Sequence, residues 1–176
     1  AYQAARRESI ASTMRFVAAF PQHEHSAAVL GAATEDLYDL KDYLVAISTG
    51  RRLLDEYPVA DDSIRRAAWT VIAHASFDTD EFEVAEAAYT QVLSMTSPDD
   101  ESVEKITNNL AATIYKQGEL ARDAEDYQKA ADHFLRIADA APQSTMRPNA
   151  EYDAAAALIQ LSDWMGAATV LESFRQ

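Results

Sequence analysis

The chain has 176 residues, about one domain by length, and carries 29 Asp and Glu against 15 Lys and Arg, a net charge of −14. That charge excludes a broad nucleic-acid footprint, which needs clustered Lys and Arg, and it disfavours docking on an anionic membrane. Cysteine is absent, which excludes disulfides and thiolate metal sites, and no charge-free stretch approaches the roughly 20 residues needed to insert across a bilayer. Alanine occurs 35 times, against four Gly and five Pro. Helices are expected almost throughout, because Ala loses no side-chain entropy in a helix whereas Gly and Pro disrupt it.

Apolar spacing predicts about nine helices, near residues 2–20, 27–39, 43–56, 62–77, 81–95, 102–122, 126–140, 147–161 and 163–175. The first matches the third at an offset of 37 residues, with Ile10 on Ile47, Phe16 on Leu53, Val17 on Leu54 and Phe20 on Tyr57. Each of these stripes closes on an aromatic–proline pair, Phe20-Pro21 and Tyr57-Pro58, since proline disfavours helical geometry in the residue before it. Pro98 and Pro142 follow at intervals of 40 and 44 residues, each long enough for a helix pair with its turns. An acid, an aromatic, two variable residues and Ala recur four times, beginning at Asp42, Glu81, Asp126 and Asp163. The acid is expected to cap a helix, the aromatic to fill the space between paired helices, and the Ala to permit close approach. Asp80 followed by Glu83 also has the form of an acidic capping box.

These residues resemble the tetratricopeptide repeat, a helix pair with a W-x₂-L-G-x₂-Y, A-x₃-F, P pattern. One copy supplies Trp69, Ile72, Ala73, Ala85 and Tyr89; another supplies Leu110, Ala111, Ile114, Gly118, Ala130, Phe134 and Pro142. The last has Ala154, Ala155, Leu158, Ala167 and Leu171, and the copy before Pro58 departs most, with Ala33 for the Leu and Gly50 for the Phe. The resemblance implies an all-α, right-handed α-solenoid of antiparallel helix pairs. Its repeats would lie near 27–58, 62–98, 102–142 and 147–176, with 1–21 the second helix of a preceding repeat. Seven extra residues between Gly118 and Asp126 make about two helical turns, so they are read as lengthening the helix at 102–122. With no linker in view we expect a single repeat domain over 1–176, and the unpaired first helix suggests a fragment of a longer array. The long, aromatic–proline-ended inter-repeat segments are similar in style to repeats of bacterial envelope proteins, which implies a periplasmic or envelope setting.

Motifs for chemistry are sparse. His23-Glu24-His25 has metal-ligand character, but a metal-assisted enzyme would need a third ligand to converge there. His74 and His133 lack zincin spacing, the four glycines are too far apart for a phosphate loop, and no nucleophile motif is present. Carboxylate pairs such as Asp61-Asp62 and Asp99-Asp100 sit at predicted helix starts, where they favour the free N–H groups. No catalytic, cofactor-binding or metal residue is therefore expected. Trp69, Tyr43, Phe82, Tyr89, Tyr127, Phe134 and Trp164 fall on packing positions.

The resemblance maps a peptide groove onto the first helix of each pair. The mapped positions are Gly31, Glu35, Tyr38 and Asp39; Thr70, His74, Phe77 and Asp78; Asn108, Ala112, Tyr115 and Lys116; and Tyr152, Ala156, Ile159 and Gln160. Tyr38, Phe77, Tyr115 and Ile159 then occupy equivalent positions, forming either an apolar ridge that anchors a peptide or contacts hidden beneath neighbouring helices. Glu35, Asp39 and Asp78 oppose an acidic ligand, and residues 61–146 hold 17 acids against seven bases. A basic or amphipathic protein segment is the expected partner. The function expected is a non-catalytic protein-interaction scaffold; the alternative is a spacer or self-assembly module with no ligand of its own.

Overall fold

A computed structural model describes residues 2–173, and all regular structure among them is helical. By its internal contacts the chain divides into two compact units, the first ending at Thr96 and the second beginning at Ser97, where the sequence suggested one repeat domain. The boundary falls in the polar turn around Pro98, which supplies few apolar groups to either core.

The first unit contains α1 (Tyr2–Ala19), α2 (Ser26–Asp39), α3 (Tyr43–Glu56), α4 (Asp62–Asp78) and α5 (Phe82–Ser94). Helices α2/α3 and α4/α5 are antiparallel pairs, α1 packs on α2, and α4 packs on both α2 and α3. Two apolar clusters hold these helices together. Ile10, Ala33, Leu37, Ala46 and Val71 form one, and Val17, Leu30, Leu53 and Ala68 form the other, so each draws on α1, α2, α3 and α4. Removing a side chain such as Leu30 or Leu53 from water contributes about 1.5–3 kcal/mol. The aromatic–proline ends add polar ties: the Tyr57 hydroxyl donates to the Pro21 carbonyl at 2.9 Å and the Ser26 hydroxyl to the Phe20 carbonyl at 2.7 Å.

The second unit contains α6 (Val103–Asp123), α7 (Tyr127–Leu135), α8 (Ile137–Ala140), α9 (Arg147–Gln160) and α10 (Trp164–Ser173). The two-turn extension read from the sequence is present in α6, the longest of these helices at 21 residues. The single helix expected at 126–140 is instead broken at Arg136, whose guanidinium donates to Gln117 Oε1 at 3.3 Å. Helix α7 packs between α6 and α9, and α9 pairs with α10. Leu110, Ala111, Ile114, Ala130, Ala131, Phe134, Ile137, Ala154 and Ala167 form the core.

Four turns share one conformation and give the repeats their common register. Lys41, Asp80, Glu125 and Ser162 are non-glycine residues with φ near 60°. The following acid in each case donates its N–H to the carbonyl five residues back, that of Leu37, Ser76, Ala121 or Leu158, at 2.8–2.9 Å. This closes a Schellman-type turn that satisfies carbonyls left free at the helix end. Asp80 is therefore the left-handed turn residue and not the first half of a capping box. The expected acidic caps form at two of the four helices: Asp126 accepts from the Lys129 N–H at 3.2 Å and Asp163 from the Gly166 N–H at 2.9 Å. Asp42 and Glu81 make no side-chain cap bond.

Candidate functional site

In the first unit α2 and α4 flank an open cleft of about 480 Å³ lined by Glu35, Tyr38, Asp39, Ser63, Arg66 and Thr70, with Ala67 and Val71 at its base. The α2 residues share a face because positions three and four apart stack on a helix. On α4, Ser63, Arg66, Ala67, Thr70 and Val71 repeat the same spacing. Thr70 was among the mapped groove positions; Ser63 and Arg66 were not, although the i, i+3, i+7 pattern running back along α4 carried that signal.

Tyr38 is half-buried between helices, with its ring centroid 5.5 Å from Tyr43 and 5.9 Å from His74. Its hydroxyl donates to the Asp78 carboxylate at 2.9 Å. Burial first, and then this carboxylate, push the Tyr38 hydroxyl up to about 12 and also raise Tyr43. Asp39, exposed on the cleft rim, accepts from Arg6 at 2.7 Å, and the same guanidinium meets Asp36 at 2.8 Å. Two expected groove aromatics are partly absorbed by the core. His74 lies 5.6 Å from the buried Tyr89 ring, and Phe77 packs edge-on against the buried Phe82 at 5.4 Å.

In the second unit the mapped residues mainly secure helices and loops. Asn108 does not face an open groove: its Oδ1 accepts from the Ser144 hydroxyl at 2.9 Å and the Thr145 N–H at 3.1 Å, pinning the loop before α9. Tyr115 donates its hydroxyl to Asp153 on α9 and packs 5.1 Å from Phe134; burial and Asp153 push this hydroxyl up to about 12 as well. Lys116 is exposed and pairs with Glu119 at 2.7 Å. Tyr152 and Ile159 on α9 are exposed, at 65% and 40%.

The turn residues also correct the proposed equivalence. Counting back from Lys41, Asp80, Glu125 and Ser162, the position of Tyr38 is held by Phe77, Arg122 and Ile159. Tyr115 sits two turns further from its turn than Tyr38, so the ridge Tyr38–Phe77–Tyr115–Ile159 is not a row of equivalent residues. The sequence reading placed the seven extra residues between Gly118 and Asp126; counted from the turn residues, they precede Arg122, the position level with Tyr38. Among the aromatics read as packing residues, Phe82, Tyr89 and Phe134 are buried and Tyr43, Trp69 and Tyr127 half-buried, but Trp164 is 63% exposed. No following helix covers it among the described residues. His23 and His25 are exposed with rings 5.3 Å apart, and no group of three or more His, Asp or Glu able to hold a metal is found among the described residues.

No protein-family model matches the sequence, and no curated protein matches it. Solved structures are similar in fold. The nearly identical TPR-like repeats of a Podosopora anserina kinesin light chain align over 99% of this chain and 88% of that one, at 16% identity and a TM-score of 0.53. A single-substitution variant of that protein aligns over the same shares, with the same identity and TM-score. The MamA RS-1 ArsTM double mutant aligns over 97% of this chain and 86% of that one, at 16% identity and a TM-score of 0.45. The chain has the all-α fold of tetratricopeptide-like helix-pair repeats.

Proposed function

We propose that this chain is a non-catalytic protein-interaction scaffold that takes a peptide or protein segment on the face formed by its first helices. The observation that carries this reading is the α2/α4 cleft, where Glu35 and the rim carboxylate Asp39 face Ser63, Arg66 and Thr70 around about 480 Å³ of open space. Two helices anchored by a buried core hold that face in place, so a bound segment would lose its own freedom without reordering the scaffold. With Asp39 already paired to Arg6, the exposed Glu35 carboxylate favours a segment with a basic side chain, and the half-buried Tyr38 ring offers an apolar contact beside it.

A photoreactive amino acid at Ser63 in the source cell tests this. A specific crosslinked protein, lost when Glu35→Lys reverses the charge on the cleft and Thr70→Trp fills it, is the expected result. No crosslink at Ser63, with helicity unchanged, would remove the reading. A spacer module is the second reading, favoured by the way Tyr38, Asn108 and Tyr115 tie one helix or loop to the next.

A further inference from the structure

We infer that Arg6 is a specificity-determining residue of the α2/α4 cleft: it withdraws Asp39 from recognition, so that the cleft takes one basic side chain at Glu35 and refuses a second at Asp39. This rests on the cleft reading above and adds the charge pattern of the segment that fits. Asp39 lines the cleft beside Glu35 and Tyr38. Its carboxylate accepts from Arg6 Nη2 at 2.7 Å, and Arg6 Nε meets Asp36 at 2.8 Å, so one guanidinium spans two carboxylates. Arg7 holds the next acid, Asp42, at 2.7 Å. The Arg6 side chain is only 26% exposed, and charge-assisted bonds from its planar fork to two acceptors fix it more firmly than a single surface ion pair.

The next pair shows that the fold does not require a cation at this crossing. On α3, which matches α1 at an offset of 37 residues, Tyr43 stands where Arg6 does; counted from the turn residues, Asp78 stands where Asp39 does. There the contact is made by neutral hydroxyls, since Tyr43 hydrogen-bonds to Asp78 and Tyr38 donates to the same carboxylate at 2.9 Å. What Arg6 adds is therefore charge. Glu35 and Asp39 stand four residues apart, about 6 Å along α2. Alternate side chains of an extended segment lie about 6.6 Å apart on one face, so lysines two residues apart would match both acids if Arg6 were absent. With Arg6 in place, the second ammonium meets a carboxylate already satisfied and a like charge beside it. A segment with one Lys and a neutral residue two places on escapes that cost.

Two fluorescein-labelled extended peptides, alike except for Lys or Ser two residues after a common Lys, test this by anisotropy on the 176-residue chain. The parent is expected to bind the two-lysine peptide no more tightly than the one-lysine peptide. Arg6→Gln, and Arg6→Tyr with the side chain that α3 uses, should each make the two-lysine peptide the tighter by about three- to fivefold. Asp39→Asn added to either should remove that gain, and Arg6→Lys should keep the parent's lack of preference. A parent that already prefers two lysines, or Arg6→Gln and Arg6→Tyr variants of unchanged helicity that gain no preference, would overturn the inference. So would Asp39→Asn alone if it weakened only the two-lysine peptide, a measurement that needs no change at Arg6. Each of these results leaves the cleft reading standing as long as Thr70→Trp abolishes binding of the one-lysine peptide. A one-lysine peptide that fails to bind the parent, or binds Thr70→Trp equally well, removes the cleft reading and this inference with it.

Discussion

The two units make the same bond from different heights on a helix. In the first, Tyr38 stands three residues before the turn residue Lys41 and reaches Asp78; in the second, Tyr115 stands ten residues before Glu125 and reaches Asp153. The difference is seven residues, close to two turns, so the extension of α6 keeps a side chain on its face and changes only its height. The glycines differ in the same instructive way. A Cβ on Gly118 would fall 2.4 Å from the Phe134 ring, whereas one on Gly31 would meet its nearest neighbour, Ile64, at 3.4 Å. The second unit thus seats a large ring over a missing side chain, whereas at Gly31 the first leaves ordinary van der Waals distance for a methyl group.

The largest expected effect lies at that ring. Phe134→Ala should destabilise the second unit by about 3–5 kcal/mol, because the side chain is fully buried and its removal leaves a cavity. Gly118→Ala should cost about 1–3 kcal/mol by overpacking, despite the better helix propensity of Ala. In a Phe134→Leu background the cost of Gly118→Ala should shrink, a coupling that chemical denaturation of the double variant would measure. A harmless Gly118→Ala would break the contrast and the register behind it.

Next come the tyrosines. Tyr38→Phe and Tyr115→Phe should each cost about 0.5–1.5 kcal/mol, the usual net worth of a hydrogen bond. Both hydroxyls are held protonated, with values raised from 10.0 to about 12. Since the folded value lies above the unfolded one, their contribution is complete below pH 10 and is lost as pH rises toward about 12. Absorbance titration should show Tyr38 and Tyr115 ionising late, and Asp78→Asn should bring Tyr38, together with Tyr43, earlier while leaving Tyr115 in place. Simultaneous early ionisation of both would mean that the two pairs are not independent. The smallest effect is expected at Gly31→Ala, which should be neutral or stabilise by up to about 1 kcal/mol in thermal melts. Destabilisation there would show that the first unit is packed as tightly as the second.

The candidate site was legible only in part. Glu35, Tyr38 and Asp39 could be placed on one face from helical spacing alone, and α4 opposite them from the repeat. The uses of the mapped residues were not legible. Asn108 holds Ser144 and Thr145, 36 and 37 residues away, and Phe77 packs against Phe82 across a turn. Hydrogen bonds and ring contacts of this kind depend on two backbones approaching, which no local pattern encodes. Arg66 and Ser63 escaped notice for the opposite reason: their spacing was visible, but only the neighbouring helix makes it one wall of a cleft.

The order of the helices, and the place of each apart from the break within 126–140, could be read from the chain itself, because apolar periodicity, alanine richness and proline breaks act within a few residues of one another. The length of α6 followed as well, since seven inserted residues preserve a helical stripe. The division at Thr96, the break at Arg136 and the exposure of Trp164 were decided by tertiary structure. So was the position level with Tyr38, which a left-handed turn at Glu125 assigns to Arg122. Helix-forming tendency is a local property, whereas burial and register depend on which neighbouring helix covers a given face.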